Sequence, residues 1–394
     1  MVSTIVVCGL LIDGNGDEPL RNRAISINDG MIEWVKPAET LGPEVENVID
    51  LSHLTVLPGL IDCHDHLGVD LGDEEAQCRE PIEYISIRCV KNAKDILRAG
   101  ITTMRSVGEK DRTGPMMKRA IQEGLVQGPR LVVAGRNIVR TGGHAHFLGL
   151  EADGPDELRA AVREEIKNGA DLIKIMVSGG LSTLGSDVLA AEFAEDEIKA
   201  VIEEAHRRGR KVAGHCHGGP GTTVAVKAGI DSIEHGIYLT EDEIQLMVEH
   251  GTYLVVTAGV ILAIRDQPDV PAFMKEKLKD DTEIMFRTIA STKGTGLKIA
   301  VGTDEIHGEL YKEMEYLTKA GYTPMEALLA GTKNGADLCG MADRLGTLEA
   351  GKYADLIAVE GNPLEDFSIL KEVSFVMKAG VIEFDTRHHM AKSR

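Results

Sequence analysis

The stretch Val56-Leu57-Pro58-Gly59-Leu60-Ile61-Asp62-Cys63-His64-Asp65-His66 decides how the chain is read. A short apolar run ends in two histidines spaced i, i+2. In an extended strand such residues point to one face, so both imidazoles can reach one metal ion. The run at 54–61 is the first of eight. The others fall at 101–107, 131–134, 171–177, 211–215, 230–235, 252–257 and 297–304. Charged amphipathic stretches, such as 156–168, 196–208 and 241–250, lie between them. This alternation implies an α/β chain folded as a (β/α)8 TIM barrel over residues 59–346. A doubly wound open sheet is disfavoured, because no G-x-G-x-x-G opens a helix after the first strand.

The two chain ends read differently. The runs 4–12, 24–28 and 31–35, and then 355–359, 373–378 and 381–384, are short and β-rich. Asn28-Asp29-Gly30 is a hairpin signal. Residues 1–58 plus 347–394 are expected to form one small β-sandwich domain, with the barrel inserted between its halves.

Composition removes several function classes. The 394 residues carry a net charge of −20, which repels phosphate backbones and anionic lipid surfaces. No apolar run reaches the ~20 residues of a membrane helix. Neither nucleic acid nor membrane is an expected partner; a small-molecule substrate and a homo-oligomer are. Cys8, Cys63, Cys78, Cys89, Cys216 and Cys339 are irregularly spaced with no C-x-x-C. Reduced thiols fit that pattern. The opening Met1-Val2-Ser3-Thr4 lacks a basic n-region, so a cytoplasmic location is expected.

The histidines concentrate the chemistry. Random placement of 13 His would give about 0.4 His-x-His pairs; the chain has His64/His66, His144/His146 and His215/His217. His215 ends the fifth run, His235 the sixth and Asp304 the eighth. In a barrel the C-terminal strand ends meet at the active-site mouth, so His64, His66, His215, His235 and Asp304 converge as metal ligands. Lys174 lies inside the fourth run, Leu172-Ile173-Lys174-Ile175-Met176-Val177. A lysine among such neighbours is costly unless paired or chemically altered. An ion pair, snorkelling and a carbamylated lysine all remain open from the residues alone.

These residues resemble the amidohydrolase superfamily of metal-dependent hydrolases. The resemblance runs through the motif ending His64-Asp65-His66, Lys174, His215, His235, Asp304 and the closing Gly346-Thr347-Leu348-Glu349-Ala350-Gly351-Lys352-Tyr353-Ala354-Asp355-Leu356. It implies two divalent metal ions. His64, His66 and Asp304 would hold one, His215 and His235 the other, and carbamylated Lys174 would bridge them with a hydroxide. Zinc is the expected metal; iron, manganese or cobalt also suit such N/O ligands. Asp304 would double as the catalytic proton shuttle.

Closer segments are similar to the metal-dependent Xaa-Pro dipeptidase and carboxypeptidase-like subgroup. They are Thr102-Thr103-Met104-Arg105-Ser106-Val107-Gly108, Thr141-Gly142-Gly143-His144, Ile173-Lys174-Ile175 and His235-Gly236-Ile237-Tyr238. The implied activity is hydrolysis of an amide or peptide C–N bond by a dipeptidase or N-acyl amino acid hydrolase. Tyr238 is placed to stabilise an oxyanion and to bind substrate. His144 and Arg105 are candidate substrate contacts, Arg105 competing with an ion pair to a barrel acid. His146 and His217 are expected behind the ligands.

Asp65 departs from the Thr, Val or Ile more usual between the two histidines, and its side chain is expected to point away from the metal. Asp70, Asp73, Glu74 and Glu75 make the following loop acidic; acids facing the mouth would favour a cationic substrate. The Gly/Ser-rich loop 181–190 is a candidate lid. Hydrolysis of non-peptide amides, carbamates or cyclic amides, deamination, and a non-catalytic assembly role are the competing functions. Retention of six ligands opposes the last.

Overall fold

The structure is a computed structural model that describes residues 3–42, 46–278 and 281–386. Four strands open the chain: β1 (Thr4–Leu11), β2 (Leu20–Asn28), β3 (Met31–Pro37) and β4 (Val48–Pro58). A parallel series follows: β5 (Leu60–Asp65), β6 (Ile101–Ser106), β7 (Arg130–Val133), β8 (Ile138–Val139), β9 (Leu150–Glu151), β10 (Leu172–Met176), β11 (Lys211–Cys216), β12 (Ser232–His235), β13 (Tyr253–Val256) and β14 (Ile299–Val301). The chain closes with β15 (Leu356–Val359), β16 (Phe375–Lys378) and β17 (Val381–Asp385).

Both chain ends enter one seven-stranded sheet, in the order β17-β16-β15-β4-β1-β2-β3. Asp29 and Gly30 turn β2 into β3 with φ of 49° and 75°, the left-handed pair that tight hairpins require. The sheet curls so that this turn meets the one at Ala379-Gly380: a Cβ on Gly30 would lie 2.5 Å from the Ala379 carbonyl oxygen. Val6, Cys8, Ile25, Leu51, Val56, Leu356 and Phe375 form its buried cluster.

The run expected as one strand at 54–61 is two. β4 belongs to the end-built sheet and β5 to the parallel series, with Gly59 between them. Pro58 has no N–H to continue a ladder. Gly59 lies so close to Thr102 that a Cβ would meet its Oγ1 at 2.2 Å.

The parallel strands form two sheets, β5-β6-β7 and β14-β13-β12-β11-β10-β8-β9. Two hydrogen bonds join their margins: Asp171 N–H donates to Val133 O (2.7 Å), and Asp304 N–H to His64 O (2.8 Å). Helices cover the layer with apolar faces. In Gly154–Lys167, Leu158, Ala161 and Val162 are buried at the i, i+3, i+4 spacing of one helical stripe. Among the described residues no helix is long and apolar enough to cross a membrane.

Candidate active site

The C-terminal ends of the parallel strands carry the polar residues that the apolar runs lead to. His64 lies near the end of β5 and His66 just beyond it, and each has one ring nitrogen committed. His64 Nδ1 donates to Glu234 Oε2 (2.8 Å), and His66 Nδ1 to Gly108 O (2.6 Å). Their Nε2 atoms lie 3.3 and 3.7 Å from Asp304 Oδ1. The ligand atoms of His64, His66 and Asp304 all fall within 4.8 Å of one another. Histidines fixed through one nitrogen and open at the other are the form in which imidazole ligates a metal. Glycine permits this approach: a Cβ on Gly302 would lie 2.4 Å from His64 Cβ.

His215 and His235 come from β11 and β12. His215 Nε2 donates to Gly179 O (3.2 Å), leaving Nδ1 as its lone-pair nitrogen. The His215 and His235 rings are 4.6 Å apart, and His64 and His235 4.7 Å. His235 Nδ1 lies 2.7 Å from Thr257 Oγ1 and 3.6 Å from Asp304 Oδ2. His235, Asp304 and Glu305 have φ of 74°, 51° and 73°. Such strain in non-glycine residues clusters at functional sites.

Burial disfavours the charged imidazole and pushes His66 down to about 4; His215 and His235 are also held well below the usual value. These rings are therefore neutral, as ligation requires. Burial alone would raise the Asp304 carboxyl, but His64, His235 and His66 outweigh it and hold it below the usual range. Lys174 is 1% exposed. Burial lowers its ammonium to about 8, against the pull of Glu234 and Asp304.

Behind the histidines is an ion pair. Arg105 Nη2 donates to both oxygens of Glu234 (2.8 and 2.7 Å), and Arg105 Nη1 to Ser232 Oγ (3.1 Å). Arg105 therefore takes the barrel-acid pairing; at 3% exposure it does not line the cavity. The reason is strand alternation: Glu234 points inward beside it and supplies the anion. Tyr238 is likewise absent from the cavity lining. It is half-buried against the main core, and its N–H donates to His217 O (2.7 Å).

One cavity is lined by all six expected ligands, Lys174 included. His144 joins them, its ring 4.3 Å from His215 and its Nδ1 3.2 Å from Thr183 Oγ1. Burial drives His144 down to about 3. His217, expected behind the ligands, lines the cavity, and neither ring nitrogen has a partner. His146 is tied to Gly143 O (3.1 Å) and is absent from the lining. Asp65 points away from the ligand cluster: its carboxylate takes the Glu305 N–H (2.9 Å) and faces His307 Nδ1 (2.8 Å). Leu181 and Ser182 of the loop 181–190 reach the cavity. Lys277 Nζ clamps the loop by donating to the carbonyls of Gly180, Leu181 and Thr183 (3.0, 3.2 and 2.7 Å).

The sequence reading did not single out Glu305 or Asn137, which line the cavity. Glu305 follows Asp304 directly and was within reach of inspection. Asn137 follows β7 at a position that no motif marks.

The α/β fold gathers histidines and an aspartate at parallel strand ends, a donor set that suits a divalent metal ion. The model of the amidohydrolase family matches residues 55–382, and the chain belongs to that family. It is a hydrolase acting on C–N bonds. The chain is 32% identical to the ochratoxinase of Aspergillus niger over 416 aligned residues, covering 96% of this chain and 86% of that one. It is similar to the solved structure of a Xaa-Pro dipeptidase with methionine bound in its active site, at 35% identity and a TM-score of 0.90, covering 96% and 99% of the two chains. A prolidase complexed with N-methylphosphonate-L-proline gives 27% identity, a TM-score of 0.91 and the same coverage.

Proposed function

We propose that the protein is a binuclear metal-dependent hydrolase of amide bonds, a dipeptidase or N-acyl amino acid hydrolase. The observation that carries this is that His64, His66, Lys174, His215, His235 and Asp304 line one cavity. We read the joined parallel strands as a closed (β/α)8 barrel over 59–346. The curled sheet of 1–58 and 347–394 is its small β-sandwich domain; residues 387–394 lie outside the described residues.

His64, His66 and Asp304 would hold one ion, and His215 and His235 the other. Lys174, as a carbamate, would supply a carboxylate to both. The mixed N/O donors suit zinc, and equally iron, manganese or cobalt. Two bound divalent ions supply Lewis acidity toward a carbonyl and lower the pKa of a water. Asp304 takes the proton from the attacking water and passes it to the leaving nitrogen. Glu234 orients His64 and fixes its tautomer. His144 offers a neutral N–H to a carbonyl or carboxylate of the substrate. Six unpaired cysteines suit a reducing cytoplasm.

The similarity to a Xaa-Pro dipeptidase and a prolidase supports a substrate with a free carboxylate. A second reading, hydrolysis of a non-peptide amide, rests on the apolar wall of Val260, Ile261, Ile264 and Met274 and on the similarity to an ochratoxinase. Matched acid and amide forms of one dipeptide separate the two, assayed beside an N-acyl amino acid, an anilide and an aminated heterocycle. Losing one charge-assisted bond costs about 1.5–3 kcal/mol in kcat/KM, so the amide should be the poorer substrate. Equal rates for acid and amide would remove the carboxylate contact. Turnover of the heterocycle alone would make the protein a deaminase.

A further inference from the structure

Three carboxyl groups reach the cavity besides any ligand use of Asp304's partners: Asp304 itself, Glu305 beside it, and Glu74 from the helix Glu74–Cys78. Glu305 is the unusual one. It is 8% exposed, and its Oε2 has no hydrogen-bond partner. Its backbone is pinned, with a φ of 73° and its N–H on Asp65 Oδ1. A buried carboxyl oxygen without a partner is costly, so a group that arrives to pair with it binds well. Among the described residues lining the cavity, Lys174 is the only Lys or Arg, and the carboxylates acting on it are Glu234 and Asp304. The side chains acting most strongly on Glu305 are themselves acids, Glu74, Asp304, Asp65 and Asp70.

Two further features point to a ligand. Asn137 is fully buried in the same lining, and neither its amide nitrogen nor its oxygen has a partner. The same lining includes the apolar residues Leu181, Val260, Ile261, Ile264 and Met274. A cavity with an apolar wall and an unpaired acid suits an amphipathic ligand, an aliphatic body with a cationic tip.

We propose that Glu305, assisted by Glu74, is a specificity subsite for a cationic group of the substrate, an ammonium or guanidinium. The proposal rests on the hydrolase reading of this cavity. The cation comes either from a free α-amino group or from a basic side chain. Glu305 binds it in place of a missing internal partner, and Glu74 and Ser182 line the same cavity on the side of the loop.

The test uses the metal-loaded full chain, Glu305→Gln and Glu74→Gln. Dipeptides with lysine or norleucine at either position, each with a free or an acetylated amine, give ratios of kcat/KM for cationic over neutral partners. Calorimetry with free lysine, norleucine and their Nα-acetyl forms gives the same ratios for binding. We expect the wild type to favour the cationic member by about 10- to 100-fold, and Glu305→Gln to bring that ratio near one while keeping its metal content. The free-amine pairs and the side-chain pairs identify which source the subsite reads. No preference in the wild type would overturn the proposal, as would an unchanged preference in Glu305→Gln or a loss of metal from it. Preferential binding of a cation without hydrolysis of any member would leave the subsite standing and remove the hydrolase reading.

Discussion

His64, His66 and Asp304 present ligand atoms within 4.8 Å of one another, whereas His215 and His235 share the cavity with a lysine in the place of a third ligand. The first half of the centre is complete in side chains the chain encodes. It is also braced: Asp304 N–H donates to His64 O, and the buried Arg105–Glu234 pair holds the His64 ring. The second half has imidazoles oriented by Gly179 O and Thr257 Oγ1, but an amine offers a cation where an ion needs an anion. On the proposed binuclear reading, folding alone finishes one half of the centre, while the other would wait on carbamylation of Lys174.

Asp304 touches both halves, so it should be the most damaging residue to change. Asp304→Asn is expected to keep its fold and lose ~10²–10⁴ of kcat, read by steady-state kinetics on protein with measured metal. A near-normal rate in a metal-replete variant would take the proton shuttle out of the mechanism. Lys174→Ala attacks the second half most, because the first keeps His64, His66 and Asp304. One of the two ions and most turnover should go, and short carboxylic acids should restore part of both. Full metal and full rate in this variant would dismiss the bridge.

Glu234→Gln sharpens the account of the first half. It leaves Arg105 buried without its anion, and such broken pairs cost about 3–5 kcal/mol. Metal affinity should fall about 10–100-fold through His64. Thermal unfolding and metal titration read the two effects. An unchanged melting temperature and affinity would mean that the pair braces nothing.

The smallest effect concerns His307. Burial alone would lower its pKa, but Asp65 and Asp70 outweigh burial and raise it to about 10, above about 6.5 for an unfolded imidazole. The protonated form is favoured by folding. Its stabilisation is therefore complete below about pH 6.5 and is lost as the pH rises toward 10. Denaturant unfolding across that window should show stability falling with a slope of at most one proton, and His307→Gln should flatten it. An equal slope in both proteins would place the titration elsewhere.

Much of this was legible because strands and metals impose spacing. Seven of the eight apolar runs each contain one strand, and the His and Asp ligands lie at or just beyond strand ends, where a barrel would bring them together. The eighth run, at 54–61, hid a boundary, because apolar residues continue across Pro58-Gly59 from one sheet into another. Alternation also misleads at β12. Ser232 and Glu234 point inward, so regular alternation would turn His235 outward; the left-handed backbone at His235 returns it to the cavity. Arg105 stands at a motif position that suits either a substrate carboxylate or a barrel acid, and it pairs with Glu234; Tyr238, a candidate substrate contact by motif, is half-buried against the core. Glu305 and Asn137 matter through having no partner, a property of three dimensions that no spacing announces.

The central claim is two metal ions per chain, one in each half. Elemental analysis of active protein, purified without chelator and quantified per chain, tests it most directly. The account predicts a value approaching two in the wild type, falling toward one in Lys174→Ala. A reproducible value near zero in fully active protein would contradict it, and a value of one in fully active protein would confine the metal chemistry to His64, His66 and Asp304.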